Sequence, residues 1–391
     1  MKKSRMIWIL WLIFSFLYFA LVGGVGPLLL LLLSLILPLV SGLVTGSLCG
    51  KLKVELSAGA YGEKGQEIPA RLVVRNTSLL PADRLVCRVS CQNLLTGEQE
   101  VTALRVAAPA RSSAELDLGL ASRHAGRVRM NLKQVTCYDL FGLFRFRIKE
   151  SQNCSATTLV APHTFDVETQ VAYGETADMD SDEYSMRKAG FDPSETFGIR
   201  EYVPGDRIRQ IHWKLTEKLD TLMVRDYGLP IQNTILLLLE TGRIPSSPKV
   251  SPDCLDALAE AILSVSQELL SQQIVHSIGW HNHEENTFFC REVETEEDLS
   301  LLMPDLLGAV PGEDALSVAD HYMESREQVD VAHVLIFTPQ HRSSLSFLAG
   351  QCLLTELVCS PGAGGYDQED GVAILGTEPG KIAETLAYVE F

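Results

Sequence analysis

Residues 6–50 carry no charged side chain, and no other feature constrains the fold of this chain more. One helical span of a bilayer needs roughly 20 apolar residues. These 45 residues are too many for one span and enough for two. Gly23-Gly24-Val25-Gly26-Pro27 lies midway, where glycine and proline punctuate a helix. The pattern predicts a helical hairpin over about 6–22 and 27–48. A cleaved signal peptide is the competing reading, with an apolar core of about 7–15 residues and a small-residue cleavage site. Here the first run is longer, a second follows it, and no Ala-x-Ala site separates them. The hairpin is the expectation, with membrane lipid as its surroundings.

Orientation follows from the flanks. Lys2, Lys3 and Arg5 precede the first run, Lys51 and Lys53 follow the second, and the loop between has no basic residue. Cytoplasmic flanks are enriched in Lys and Arg. The expectation is a cell-membrane protein with two spans and its soluble domains in the cytoplasm. Nine cysteines, without a CxxC pair, fit reduced, buried thiols better than a disulfide framework. The formal net charge of −17 argues against a nucleic-acid partner, since phosphate binding needs clustered Lys and Arg.

At 391 residues the chain has room for two folded domains beyond the hairpin. Residues 51–160 read as β structure. Period-two alternation runs through 67–75 (EIPARLVVR), 84–91 (RLVCRVSC) and 126–134 (GRVRMNLKQ), with turn formers between. Short strands at this spacing predict a sandwich of immunoglobulin-like type. Residues 165–190 are the most acidic stretch and read as a solvated, mobile linker within a segment spanning 161–228. From 229 to 391 the texture alternates. Residues 233–240 (NTILLLLE) suit a strand buried on both faces of a parallel sheet. Residues 253–273 show helical spacing, and further strands are expected at 275–280, 331–338, 354–359 and 372–375. Helices are expected near 296–307, 315–328 and 381–388. The alternation predicts an α/β domain.

Between these parts, residues 198–227 (GIREYVPGDRIRQIHWKLTEKLDTLMVRDY) form a long, chemically mixed run. Arg200-Glu201-Tyr202, Pro204-Gly205-Asp206, Arg209, Ile211, Trp213-Lys214 and Val224-Arg225 resemble the signature of the bacterial family known as domain of unknown function fifty-eight. The resemblance implies a membrane-anchored protein with a von Willebrand factor A-like domain, often encoded beside a MoxR-type AAA+ ATPase. Asp139-Leu140-Phe141-Gly142-Leu143-Phe144 resembles the turn that closes the β domain in the same family. There Gly142 permits a tight turn, and Phe141, Leu143 and Phe144 are expected to plug the core. Val203-Pro204-Gly205-Asp206 suits a type II turn, with Asp206 capping a helix. On that helix Ile208, Ile211, His212, Leu215 and Leu219 share an arc of roughly 100°. Trp213 projects elsewhere, beside Arg209, as a partner contact or as packing against the β domain.

Many A-type domains end their first buried strand in Asp-x-Ser-x-Ser, which holds a divalent metal. The equivalent position here is Glu240-Thr241-Gly242-Arg243-Ile244. Glu240 keeps a carboxylate, but Gly242 and Ile244 lack side-chain oxygen, and magnesium needs near-octahedral oxygen ligation. No metal is expected there. His281 and His283 face one side of a strand and can touch one metal, yet the sequence supplies no evident third ligand. Pro361-Gly362-Ala363-Gly364-Gly365 lacks the ending of a P-loop and reads as a loop between strands. No nucleophile–base pairing is identifiable.

The expectation is therefore no enzyme and no cofactor. It is an interaction scaffold acting with a MoxR-type ATPase on an unknown client, through the face around Arg200, Arg209, Trp213 and Arg225. A metal-dependent adhesion-type ligand-binding module is the alternative. A hydrolase using Asp206 or Glu240 lacks a second catalytic group.

Overall fold

A computed structural model describes residues 2–148, 154–167, 184–190, 192–201, 211–219, 221–230, 235–245, 247–325, 331–342, 345–349 and 352–387. The chain divides into two compact units, Met1–Pro162 and His163–Phe391.

The first unit begins with two helices, α1 (Lys2–Val22) and α2 (Val25–Cys49), each long and apolar enough to cross a membrane. Gly23 and Gly24 join them at φ 63° and 91°, a region glycine enters without steric cost. The helices run antiparallel, since Arg5 near the start of α1 and Ser41 in the second half of α2 both bond the turn at residues 140–143. Trp8 Nε1 also donates to the Ser34 carbonyl at 3.2 Å. Most large apolar side chains of the hairpin stay exposed, Ile7, Ile13, Leu17, Leu29 and Leu33 among them.

Nine strands follow among the described residues of this unit: β1 (Leu52–Ala58), β2 (Tyr61–Glu63), β3 (Glu67–Asn76), β4 (Ala82–Asn93), β5 (Gln99–Ala108), β6 (Ser112–Ala121), β7 (Gly126–Tyr138), β8 (Arg145–Ile148) and β9 (Ser155–Ala161). They form a sheet of order β1-β3-β6 and a second of order β2-β9-β7-β4-β5, with β8 on β7. Leu72 and Val74 from the first sheet share one core with Leu85, Val89, Met130 and Val135 from the second. Alternation at 67–75 made β3 readable, and its burial alternates residue by residue. In β6 the inward positions are only half-buried, so hydropathy marked that strand weakly.

The turn at residues 139–144 departs from expectation. Gly142 has φ 69°, as a tight turn requires, and Leu143 is buried. Phe141 and Phe144 do not plug the sheet core; both remain partly exposed. Asp139, wholly buried, accepts from the Phe141 and Phe144 amides at 3.3 and 2.8 Å. Those bonds close the turn on itself. The Leu140 amide donates to Ser41 Oγ at 3.3 Å, and Arg5 donates twice to the Leu143 carbonyl at 3.1 and 2.9 Å. Ser41, Gly42, Thr45 and Leu48 of α2 are consequently buried, although the charge-free sequence runs on to Gly50 without a break.

The second unit opens with a three-stranded antiparallel sheet of β10 (Tyr184–Gly190), β11 (Asp192–Glu201) and β12 (Met223–Pro230), in the order β10-β12-β11. Residues 184–190 are a strand rather than part of a mobile linker, paired with β12 at Tyr184, Ala189 and Gly190 despite few apolar side chains. Residues 168–183 of that stretch lie outside the described residues. Helix α3 (Trp213–Leu219) precedes β12 and is shorter than the expected amphipathic helix. Ile211 instead bridges to Val224, and His212, half-buried, accepts from the Leu215 amide through Nδ1 at 3.2 Å.

The main sheet holds β13 (Ile235–Leu239), β14 (His276–Asn282), β15 (Thr287–Val293), β16 (His333–Thr338), β17 (Leu353–Cys359), β18 (Gly365–Glu369) and β19 (Val372–Thr377). Their order is β15-β14-β13-β16-β17-β19-β18. The five inner strands are parallel, and β15 and β18 close the edges antiparallel. Every residue of β13 is buried, which is why an unbroken ILLLL run marks it. The helices are α4 (Pro252–Ser271), α5 (Glu296–Leu306), α6 (Val318–Glu324), α7 (Ser346–Ala349) and α8 (Ile382–Leu386). Helix α4 packs on β13, β16 and β17; α6 and α7 cover the other face through Val318, Tyr322 and Leu348. All nine cysteines are free thiols.

Candidate functional site

In open α/β sheets, ligands bind outside the carboxyl ends of the strands, where successive connections leave in opposite directions. Here that point falls between β13, whose chain continues to β14 on one side, and β16, whose chain continues to β17 on the other. Residues 240–244, 281–283, 308–317 and 338–342 converge at this edge.

Glu240, directly after β13, is 2% exposed. Its Oε1 accepts from the Gly242 amide and its Oε2 from the Val318 amide at the start of α6, both at 2.7 Å. Arg342, following β16 and 5% exposed, brings Nη2 to 3.6 Å from Oε2. Burial pushes the Glu240 carboxyl up to about 7, against the opposing pull of Arg342 and the two amides. Arg342 Nη1 also donates to the carbonyls of Asp314, Ala315 and Leu316 at 3.3, 3.3 and 2.7 Å. A β-carbon on Gly242 would lie 2.8 Å from Glu240 Oε1 and 3.0 Å from His283 Nε2. A serine there would displace the carboxylate, so the missing oxygen ligand and the folded-back Glu240 belong together. Ile244 is partly exposed and offers no oxygen.

One strand over, His281 lies buried near the end of β14, and His283 follows the strand. Their rings meet edge-on at 4.6 Å, and His281 stacks on His321 of α6 at 3.9 Å with 2° between planes. Asp314 supplies the carboxylate that the sequence did not reveal. Its Oδ2 lies 2.8 Å from His321 Nε2 and 3.7 Å from His283 Nδ1, and its Oδ1 accepts from the Leu316 amide at 2.9 Å. Ligand atoms of His281, Asp314 and His321 all lie within 4.8 Å of one another. His281 Nδ1 and His283 Nε2 are buried and make no hydrogen bond.

Burial, with His321 and His283 nearby, pushes His281 down to about 4 against the pull of Asp314. For Asp314, burial acts upward, but the His321 hydrogen bond, the Leu316 amide and the two neighbouring imidazoles bring it below its ordinary value. The loop carrying Asp314 is tightly laid. Arg243 N donates to Gly312 O and Asp314 N to Arg243 O, each at 2.9 Å, and His283 N donates to Val310 O at 3.2 Å. A β-carbon on Gly312 would sit 2.6 Å from His283 Cβ, so only glycine lets the loop pass. Asp314 and His321 lie more than 30 residues beyond His281, and only the parallel strand order brings them back to it.

The signature residues divide. Arg200 and Glu201 end β11, Arg225 lies in β12 opposite Ile199, and Trp213 and exposed Lys214 open α3. Tyr202, Pro204, Gly205, Asp206 and Arg209, with the expected type II turn, lie outside the described residues.

Compared with known proteins, the chain matches no family profile and no curated sequence. Among solved structures it is similar to the CARDB domain of a Pyrococcus furiosus protein at 17% identity, over 28% of this chain and 87% of that one, with a TM-score of 0.21. It is similar to BslA, a bacterial hydrophobin, at 15% identity over 29% and 97% of the two chains, with a TM-score of 0.15. A β-glucosidase from Listeria innocua matches at 14% identity over 25% of this chain and 16% of that one, with a TM-score of 0.18.

Proposed function

We propose that this chain is a membrane-anchored interaction scaffold, with its hairpin in the bilayer and its soluble units in the cytoplasm. It would act with a MoxR-type AAA+ ATPase on a client protein. On this reading the first β unit is immunoglobulin-like and the second unit is von Willebrand factor A-like. The observation that carries it is Arg5 bonded to Leu143: the basic N-terminal flank and the β domain after the second helix lie at one end of the hairpin. Positive flanks favour the cytoplasmic side.

The internal use of Glu240 supports a scaffold over a metal-dependent adhesion module. Both carboxylate oxygens are occupied by amides and Arg342, and a cation there would have to displace them. The same occupancy disfavours a hydrolase built on Glu240.

Two experiments test the proposal. Membrane-impermeant thiol reagents applied to intact cells should leave the soluble-unit cysteines unlabelled, and their labelling would overturn the topology. Full-length protein in detergent should retain the co-expressed ATPase, and Trp213→Ala should weaken that binding by about 2 kcal/mol if it anchors the interface. Undiminished binding in Trp213→Ala and in Arg200→Ala would remove the signature face from the reading.

A further inference from the structure

We propose that His281, Asp314 and His321 bind one divalent transition-metal ion of the zinc class, with His283 flanking the site. The site adjoins the Glu240 position without using its carboxylate, and it is independent of the scaffold reading.

Three observations carry it. The ligand atoms of the three residues lie within 4.8 Å of one another, a convergence that one ion at about 2.0–2.2 Å from each donor would tighten once one ring has turned. Next, His281 is 3% exposed and its Nδ1 finds no hydrogen-bond partner, nor does buried His283 Nε2. A buried nitrogen without a partner costs free energy unless something occupies its lone pair. An orphaned, buried imidazole nitrogen on His281, in one cluster with a carboxylate and a second imidazole, points to a ligand that accepts a lone pair. Finally, the donor set is imidazole-rich. Imidazole suits zinc, copper, iron and nickel, whereas magnesium and calcium take oxygen. The chemistry is therefore opposite to that of an A-type magnesium site.

The geometry also says what must move. A metal lies in the plane of an imidazole that binds it, yet the His281 and His321 rings stack in parallel planes. One ring has to turn about its terminal torsion, which is broad for histidine. His321 Nε2, now within hydrogen-bond distance of Asp314 Oδ2, exchanges that bond for a metal bond, and its proton leaves to solvent. The Asp314 carboxylate then bridges no proton and ligates directly. The bound ion would tie the end of β14 to the loop before α6 and to α6 itself.

The test uses the full-length chain in detergent, stripped with a chelator and titrated with zinc alone against a chromophoric competitor, then with cobalt as a spectroscopic probe. The expected result is one ion per chain, no competition from magnesium, and a cobalt spectrum without thiolate charge transfer. That last feature separates this site from the nine cysteines. Asp314→Asn and His321→Asn should each weaken zinc by at least about 100-fold, since loss of even an outer-shell partner costs about 10–100-fold. Both residues are only partly buried, and circular dichroism without metal checks that the variants fold. Absence of stoichiometric zinc binding by the wild-type chain would overturn the proposal. So would thiolate charge transfer in the cobalt spectrum, or affinity unchanged in either folded variant.

Discussion

A β-carbon placed on Gly42 would stand 2.8 Å from Cδ2 of Phe144, closer than such atoms approach without displacement. One helical turn on, the same construction at Gly46 leaves 3.3 Å to the Phe146 ring. The two glycines form the smooth strip of α2 on which the aromatic residues after Asp139 lie. Gly42→Leu should destabilise the first unit by about 1–3 kcal/mol through overpacking, and Gly46→Ala by less. Phe144→Ala in the Gly42→Leu background should recover part of the loss. Thermal unfolding in detergent, with protease cleavage at residues 139–144 as the local probe, measures the series. Equal melting of Gly42→Leu and wild type would refute the contact.

Arg5 closes the same junction from the other helix. Removing its two bonds to the Leu143 carbonyl should cost about 2 kcal/mol, the scale for hydrogen bonds to a charged donor. Arg5→Gln should therefore expose residues 139–144 to protease without disturbing the second unit. Unaltered cleavage would show that the bond contributes nothing.

Glu240 and Arg342 are both almost wholly buried. Glu240→Ala strands a guanidinium and two amides, and loss of one partner of such a pair costs about 3–5 kcal/mol. The double variant Glu240→Leu/Arg342→Met should be less damaging than either truncation alone, as replacement of both ions by apolar groups often is. Chemical denaturation of wild type, Glu240→Leu, Arg342→Met and the double variant gives the coupling directly. Additive losses would refute it.

His333, buried in β16, bonds Thr355 Oγ1 at 2.9 Å and is pushed by burial from 6.5 down to about 4. The unfolded chain takes up this proton first as pH falls. The resulting stability is complete above pH 6.5 and disappears as pH drops through about 4. It amounts to about 3 kcal/mol at most. His333→Gln should flatten the stability profile of the second unit across that window. Identical slopes in urea melts at successive pH values would exclude it.

What the sequence made legible follows physical lines. Strands buried on both faces, such as Ile235–Leu239, declare themselves by composition, and the charge-free hairpin by length. The edge strands did not. Residues Gly365–Glu369 are exposed throughout, so backbone pairing alone makes them a strand, and their reading as loop up to Gly365 stopped one residue into it. At the site, His281 and His283 were visible as a pair on one strand. Asp314 and His321 were not, because sequence does not state that β14 lies beside β13 or that the loop before α6 crosses both. The aromatic residues at 141 and 144 were misassigned for a related reason: an apolar side chain predicts burial, but not which surface buries it.

The buried final turns of α2 change what kind of attachment the hairpin is. A flexible tether would let a domain sample many attitudes over a membrane. Here Ser41, Gly42, Thr45 and Leu48 are clasped by the β domain, and Arg5 clasps it from the neighbouring helix. The junction is a bracket, held to both helices by side-chain bonds and buried contacts. For a hairpin set in a bilayer as proposed, torque on the domain would become helix tilt, and a change in bilayer thickness that re-tilts the helices would swing the domain.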